Sequence, residues 1–127
     1  MSKKQEKPKS LSHRGKDAAA RYLELMDFEV VERDWKCPAG KVDIVAWDDG
    51  ELVFVKVKTR ASIERGFPSE RVTPQQRGRA EKMASYFLSG FDAVDIPVRF
   101  DVVALIVVSE DRAFVRHYKN MFGGSCC

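Results

Sequence analysis

The sequence predicts one α/β domain, in which a mixed β-sheet is flanked by helices in the order α-β-β-β-α-β-β. Three observations support this prediction. Two runs rich in β-branched residues flank Asp48-Asp49-Gly50, and Asp-Gly between such runs is a strong hairpin signal. Apolar residues recur at helical spacing in residues 14–26 and 74–89. Residues 97–108 form the most apolar run of the chain, which is typical of an inner strand.

The composition is that of an ordinary soluble domain. The 127-residue chain carries a net charge of +3, and 44% of its residues are hydrophobic. No apolar run approaches the roughly 18 residues that a membrane span needs, and the charged start lacks the apolar segment of a secretory signal. We therefore expect no membrane partner. Cys37, Cys126 and Cys127 lack the spacing of metal ligands, so we expect reduced thiols and a cytoplasmic location.

The chain divides into three predicted segments. Residues 1–13 are rich in lysine and poor in apolar residues, so we expect a disordered basic tail. Residues 14–122 are expected to fold, and residues 123–127 to form a flexible C-terminal tail.

The folded segment begins with a helix and a strand. Ser12 is expected to cap the helix over residues 14–26, and Asp17 to lie in its first turn, where a carboxylate favours the helix dipole. Residues 28–35 alternate well enough to predict a strand, and residues 37–40 a turn into the hairpin.

The hairpin, formed by residues 41–47 and 51–59, is predicted to gather charged side chains on one face. A two-residue loop pairs Asp48 with Glu51, which sets Asp43 opposite Lys56 and Lys41 opposite Lys58. The other face would carry the apolar residues of both strands, namely Val42, Ile44, Ala46, Val53, Val55 and Val57. A strand pair that buries valines on one face does not need four charges on the other. We therefore predict a functional site there.

The remaining elements follow from turn and capping signals. Residues 60–72 form a polar loop whose arginines suit either phosphate groups or solvent. Its geometry could bring Glu70, an acid outside the hairpin, near Asp43. Residues 73–76 (TPQQ) predict a capping box at the start of the second helix. In the strand over residues 97–108, Asp101 is expected to pair with Arg99. His117, in the final strand, is predicted to be a strand-edge histidine without a ligand role.

Five segments carry a resemblance to a known family, in the family's order and spacing. They are GKDAAARYL (15–23), GKVDIVA (40–46), LVFVKVKTR (52–60), VTPQQR (72–77) and RFDVVAL (99–105). Over roughly residues 14–122 the chain resembles the YraN-like family of bacterial proteins. The resemblance implies an endonuclease-like fold of the PD-(D/E)XK type, which is a restriction-endonuclease-like mixed sheet related to Holliday-junction resolvases.

The resemblance also implies catalytic positions in the hairpin. It makes Asp43 a ligand of Mg²⁺ or Mn²⁺, Lys58 the group that stabilises developing negative charge, and position 56 a further catalytic acid. This chain departs from the pattern, because Lys16, Lys41 and Lys56 stand where the family has glutamates. One aspartate among several ammonium groups repels a divalent cation and attracts phosphate. We therefore expect this chain to bind no divalent cation.

Three functions are consistent with these residues. The favoured one is a nucleic-acid-associated domain with a nuclease fold and a disabled metal site, with DNA favoured over RNA as its partner. Its phosphate-binding residues would be Lys41, Lys56, Lys58, Arg60, Arg65, Arg71 and Arg77. The second is an active Mg²⁺-dependent DNA endonuclease that uses Asp43 and Lys58. The third is a structural domain whose charged cluster is an ion-paired surface.

Overall fold

The predicted class and element order are confirmed by a computed structural model, which describes residues 10–62, 64, 73–90 and 96–120. The elements are α1 (Leu11–Leu25), β1 (Glu29–Cys37), β2 (Gly40–Asp48), β3 (Glu51–Arg60), α2 (Pro74–Leu88), β4 (Val98–Ser109) and β5 (Arg112–Tyr118). Arg65, Glu70, Arg71 and both predicted tails, apart from residues 10–13, lie outside the described residues. Within the described part, no helix is long and apolar enough to cross a bilayer.

The five strands form one sheet in the order β1-β2-β3-β4-β5. Neighbouring strands are antiparallel except for β3 and β4, which are parallel and are connected through α2. Successive residues of a strand point to opposite faces, and each face of this sheet has its own apolar cluster. On one face α1 packs against Ile44 and Val53, and on the other α2 packs against Val45 and Phe54. The central strands are therefore buried on both sides.

Both helices begin with a capped N-terminus. The predicted capping box of α2 is confirmed, since Thr73 Oγ1 accepts from the Gln76 N–H and Gln76 Oε1 accepts from the Thr73 N–H. The predicted cap of α1 is wrong. Ser10, rather than Ser12, accepts from the His13 N–H at 3.1 Å, so that α1 begins at Leu11 and includes residues assigned to the tail.

The early start of α1 changes the role of Asp17. This residue lies in the second turn of the helix rather than the first, so the predicted dipole interaction is wrong. Its carboxylate instead accepts a hydrogen bond from Arg33 Nη2 on β1 at 2.7 Å. The pair ties α1 to the edge of the sheet.

Gly15 allows α1 to approach the end of β3 closely. A Cβ atom at this position would lie 1.9 Å from Thr59 Oγ1, so any side chain would push the helix away from the sheet. The close approach brings the next residue of the helix, Lys16, within reach of Asp34 on β1 and Asp43 on β2. This places a cation from α1 beside the predicted site.

Candidate functional site

Asp43 lies at the point where β2 separates from β3. The predicted register is confirmed from the turn to Ile44 and Val55, which is the last pair of the ladder. Beyond it, Asp43 Oδ2 accepts a hydrogen bond from the Val57 N–H at 2.7 Å. A side-chain oxygen thus takes the place of the backbone carbonyl that would continue the ladder. The prediction that Asp43 lies directly opposite Lys56 is therefore wrong.

The strand β2 is irregular around the same residue. The ladder between β2 and β3 ends before Lys41, which pairs with Lys36 of β1, so the predicted pairing of Lys41 with Lys58 is also wrong. Val42 packs in the apolar cluster beside α2, whereas the sequence alternation placed it with Ile44 on the face of α1. The regular alternation of side chains between the two faces is therefore broken between residues 42 and 44. Asp43 lies between them, and its carboxylate bonds to the backbone of β3.

Lys16 lies between two carboxylates from neighbouring strands. Its Nζ is 2.8 Å from Asp34 Oδ1 and 3.5 Å from Asp43 Oδ1. The hydrogen bond to Asp34 raises the pKa of Lys16, against an opposing effect of burial, and Asp43 raises it further. The same hydrogen bond lowers the pKa of Asp34. Asp34 was not among the predicted site residues, since no motif marks it; its φ of 52° is a backbone conformation that aspartate tolerates better than most residues.

The described residues around Asp43 do not fit a divalent cation. Magnesium prefers oxygen ligands in octahedral geometry, supplied by one or two carboxylates together with water. Asp43 offers one oxygen that is bonded to the Val57 N–H and one that faces the ammonium of Lys16. Among the residues described by the structure, no three histidine, cysteine or acidic side chains come together in a way that could hold a metal ion. A positive charge from the protein already occupies the place next to the carboxylates.

A cleft of 520 Å³ opens between the start of β2 and the face of α2. Its lining residues are Cys37, Pro38, Ala39, Gly40, Lys41, Val42, Asp43, Lys56, Gln76, Arg79, Met83 and Phe100. The cleft thus brings Asp43, Lys41 and Lys56 together, as the sequence predicted. The other predicted phosphate ligands in the described part, namely Lys58, Arg60 and Arg77, are not part of its lining.

Arg79 is a lining residue that sequence reasoning left out of the site. It lies three residues after Gln76 and four before Met83, which is the spacing of one helical face. The capping box had already indicated where α2 begins, so this spacing was the signal that could have found Arg79. The spacing within α2 does not determine which strand this face meets.

In the lining of the cleft, positively charged side chains outnumber the one carboxylate. Lys41, Lys56 and Arg79 make no ion pair with any residue that the structure describes. Asp43 is the acid of the lining, and its ion pair is with Lys16. A concave surface with cations of this kind attracts anions.

A second polar cluster lies buried between β4, β5 and α1. The predicted pair is confirmed, since Arg99 donates to both oxygens of Asp101 at 3.0 Å. His117 Nε2 is 2.8 Å from Asp101 Oδ2, and its Nδ1 is 3.1 Å from Tyr22 Oη. Burial pulls the pKa of Asp101 upward, but the hydrogen bonds from His117 and Arg99 outweigh burial and lower it.

His117 lies on the edge strand β5, as predicted, but its side chain is only 5% exposed. The ring lies under α1 and contacts Phe28 at a centroid distance of 5.6 Å. With all of its charged members paired, this cluster is a structural network that joins β4, β5 and α1.

Comparisons with known proteins agree with the family resemblance. The profile of the group described as "Uncharacterised protein family UPF0102" matches residues 15–105. A UPF0102 protein of Geobacter sulfurreducens is 40% identical over 114 residues, which cover 90% of this chain and 89% of that protein. A UPF0102 protein of Beutenbergia cavernae is 43% identical over 107 residues, or 84% and 91% of the two chains. A third, from Roseiflexus castenholzii, is 44% identical over 94 residues, or 73% and 76%. The chain belongs to the UPF0102 family.

Proposed function

We propose that this chain is a nucleic-acid-binding domain with an endonuclease-like fold, which binds the phosphate backbone of DNA in the cleft between β2 and α2 without cleaving it. One observation carries the proposal. Lys41, Lys56 and Arg79 line the cleft without an ion pair among the described residues, whereas Asp43 is engaged by Lys16. The position at which the resemblance implies a metal ion is therefore better suited to an anion.

Phosphate is the anion that suits this arrangement best. Ammonium and guanidinium groups make charge-assisted hydrogen bonds to phosphate oxygens, and guanidinium can make two at once. Such contacts position a nucleic acid without selecting its sequence, because they do not touch the base edges. We therefore expect binding that depends strongly on salt and weakly on sequence.

Cleavage is excluded from the proposal because of the groups around Asp43. In metal-dependent phosphodiester hydrolysis the cation polarises the phosphate and activates the attacking water. The Lys16 ammonium, 3.5 Å from Asp43 Oδ1, opposes the binding of such a cation. The remaining lining cations stabilise a bound phosphate in its ground state, and such uniform binding does not accelerate the chemical step.

The test is a titration of fluorescently labelled DNA with the full chain, followed by anisotropy at several salt concentrations. Lys41→Ala and Lys56→Ala should each lower the affinity for all sequences alike and reduce the salt slope by about one unit. Arg112→Ala is the matched control, because it removes one exposed positive charge at the far edge of the sheet, on β5. It should change the slope much less.

Two results would contradict the proposal. If no nucleic acid binds even at low salt, the charged cluster has a structural role. If Mg²⁺-dependent nicking occurs and is lost in Asp43→Ala, the chain is an active endonuclease.

A further inference from the structure

We infer that the cleft accepts a single unstacked nucleotide, with its base against the apolar wall and its phosphate on the cationic rim; this inference rests on the proposed function and names its substrate class. The ligand would be a nucleotide within single-stranded DNA, or one whose base is unpaired. Phosphate binding alone requires an accessible positive surface and gives no reason for a concave apolar wall.

The shape and size of the cleft favour a base. Its volume of 520 Å³ lies within the range of about 300–1,000 Å³ that is typical of small-molecule sites. A base inside a double helix cannot reach into a cleft of this kind unless it leaves the stack. A strand whose bases are already unstacked avoids that cost.

The lining has an apolar part and a positively charged part, which match the base and the phosphate of a nucleotide. Val42, Met83 and Phe100 supply an apolar wall, and they belong to the buried cluster beside α2. Lys56 and Arg79 supply positive charge on the same cleft. Unstacked bases are commonly bound against aromatic and apolar side chains, while the backbone follows a positively charged groove.

Gln76 adds a polar group that could meet the edge of a base. Its Oε1 accepts from the Thr73 N–H, which leaves the amide nitrogen as a donor. This nitrogen makes no hydrogen bond to any residue in the described ranges. A neutral donor beside an apolar wall suits the carbonyl or ring nitrogen of a base better than it suits a second phosphate.

Gly40 keeps the cleft open at the start of β2. A Cβ atom there would lie 3.0 Å from Arg79 Cδ and 3.4 Å from Met83 Sδ. The φ of this residue is 152°, a value that side chains rarely adopt. The space between the apolar wall and the cation therefore depends on the missing side chain.

The experiment compares two labelled strands with the same number of phosphates, one of thymidylate and one of abasic sugar. Binding is measured by anisotropy with the full chain carrying Cys126→Ser and Cys127→Ser, so that Cys37 is its one thiol. We expect the thymidylate strand to bind at least about fivefold more tightly, since one stacked base contributes roughly this factor or more.

Cys37 lines the cleft as a free thiol, which allows the cleft to be filled in the folded protein. Modification with a benzyl thiosulfonate should lower the affinity for thymidylate to that for the abasic strand. The methyl adduct is the matched control and should have a smaller effect, and a reductant should restore binding in both cases.

The outcomes separate the two proposals. Equal affinities for the two strands would overturn the single-nucleotide site and leave phosphate binding intact. A preference for thymidylate that survives the benzyl adduct would place the base elsewhere and also overturn the site. Absence of salt-dependent binding by both strands and by duplex DNA would refute the proposed function itself.

Discussion

Lys16 should prevent divalent cations from binding to Asp43, and its replacement should reverse this effect. Suppose that a divalent cation on Asp43 would lie as far from the ammonium as Asp43 Oδ1 does, at 3.5 Å. The repulsion is then about 2.4 kcal/mol even at the dielectric constant of bulk water. This corresponds to about a 50-fold change in the dissociation constant. Because the Lys16 side chain is only 23% exposed, its effective dielectric constant is lower and the effect is larger.

The assay is thermal unfolding with and without Mg²⁺ or Mn²⁺. The chain should show no change in Tm, because a ligand stabilises a protein only when it binds the native state. Lys16→Glu combined with Lys56→Glu should lower the stability without metal, and should then gain about 2.7 kcal/mol at a cation concentration of 100 times Kd. Metal binding should return in this variant before any cleavage of DNA does.

The control is Arg112→Glu, compared with Lys16→Glu alone. Both substitutions change the net charge by the same amount, but Arg112 is exposed at the start of β5, across the sheet from β1. A gain in Tm with Mg²⁺ in the unchanged chain would refute the reasoning. An equal gain in both variants would refute it too, since the effect would then come from net charge.

Three further predictions concern stability. Asp101→Ala should cost about 1–3 kcal/mol in urea unfolding, because the buried His117 ring and the Asn120 N–H lose their acceptor, whereas Arg99 keeps two other carboxylates as partners; a loss below about 0.5 kcal/mol would contradict this. Gly15→Ala should destabilise the fold, because its Cβ clashes with Thr59. Gly78→Ala in α2 is the matched control: its Cβ meets nothing within 4 Å, so it should stabilise the fold by up to about 1 kcal/mol. Equal effects of the two substitutions would show that the close approach is absent. The pKa of Asp101 is lower in the folded chain than its unfolded value of 3.8, so the ionised carboxylate stabilises the fold at pH values above 3.8. This stabilisation is lost as the pH falls through the pKa of the folded state. Acid unfolding should therefore be steeper in the unchanged chain than in Asp101→Asn, and parallel curves would argue against the network.

Much of the fold could be predicted from local patterns. The Asp-Gly turn sets the hairpin register as far as Ile44 and Val55, because turn geometry and alternation agree there. The capping box locates the start of α2 for the same reason, since it uses residues that are adjacent in the chain. Errors begin where a side chain replaces a backbone partner, as at Asp43, or where two serines compete for one cap.

Local patterns along the chain are enough to predict the class of the fold and the family, and they show the concentration of lysines around one aspartate. Which of those charges meet depends on how the helices and strands pack together. Lys16 reaches Asp34 and Asp43 because Gly15 lets α1 approach the sheet, and Arg79 joins Lys56 because α2 packs beside the start of β2. Local periodicity assigns a residue to a face of its own element. Contacts between elements depend on packing distances, which no spacing along the chain encodes.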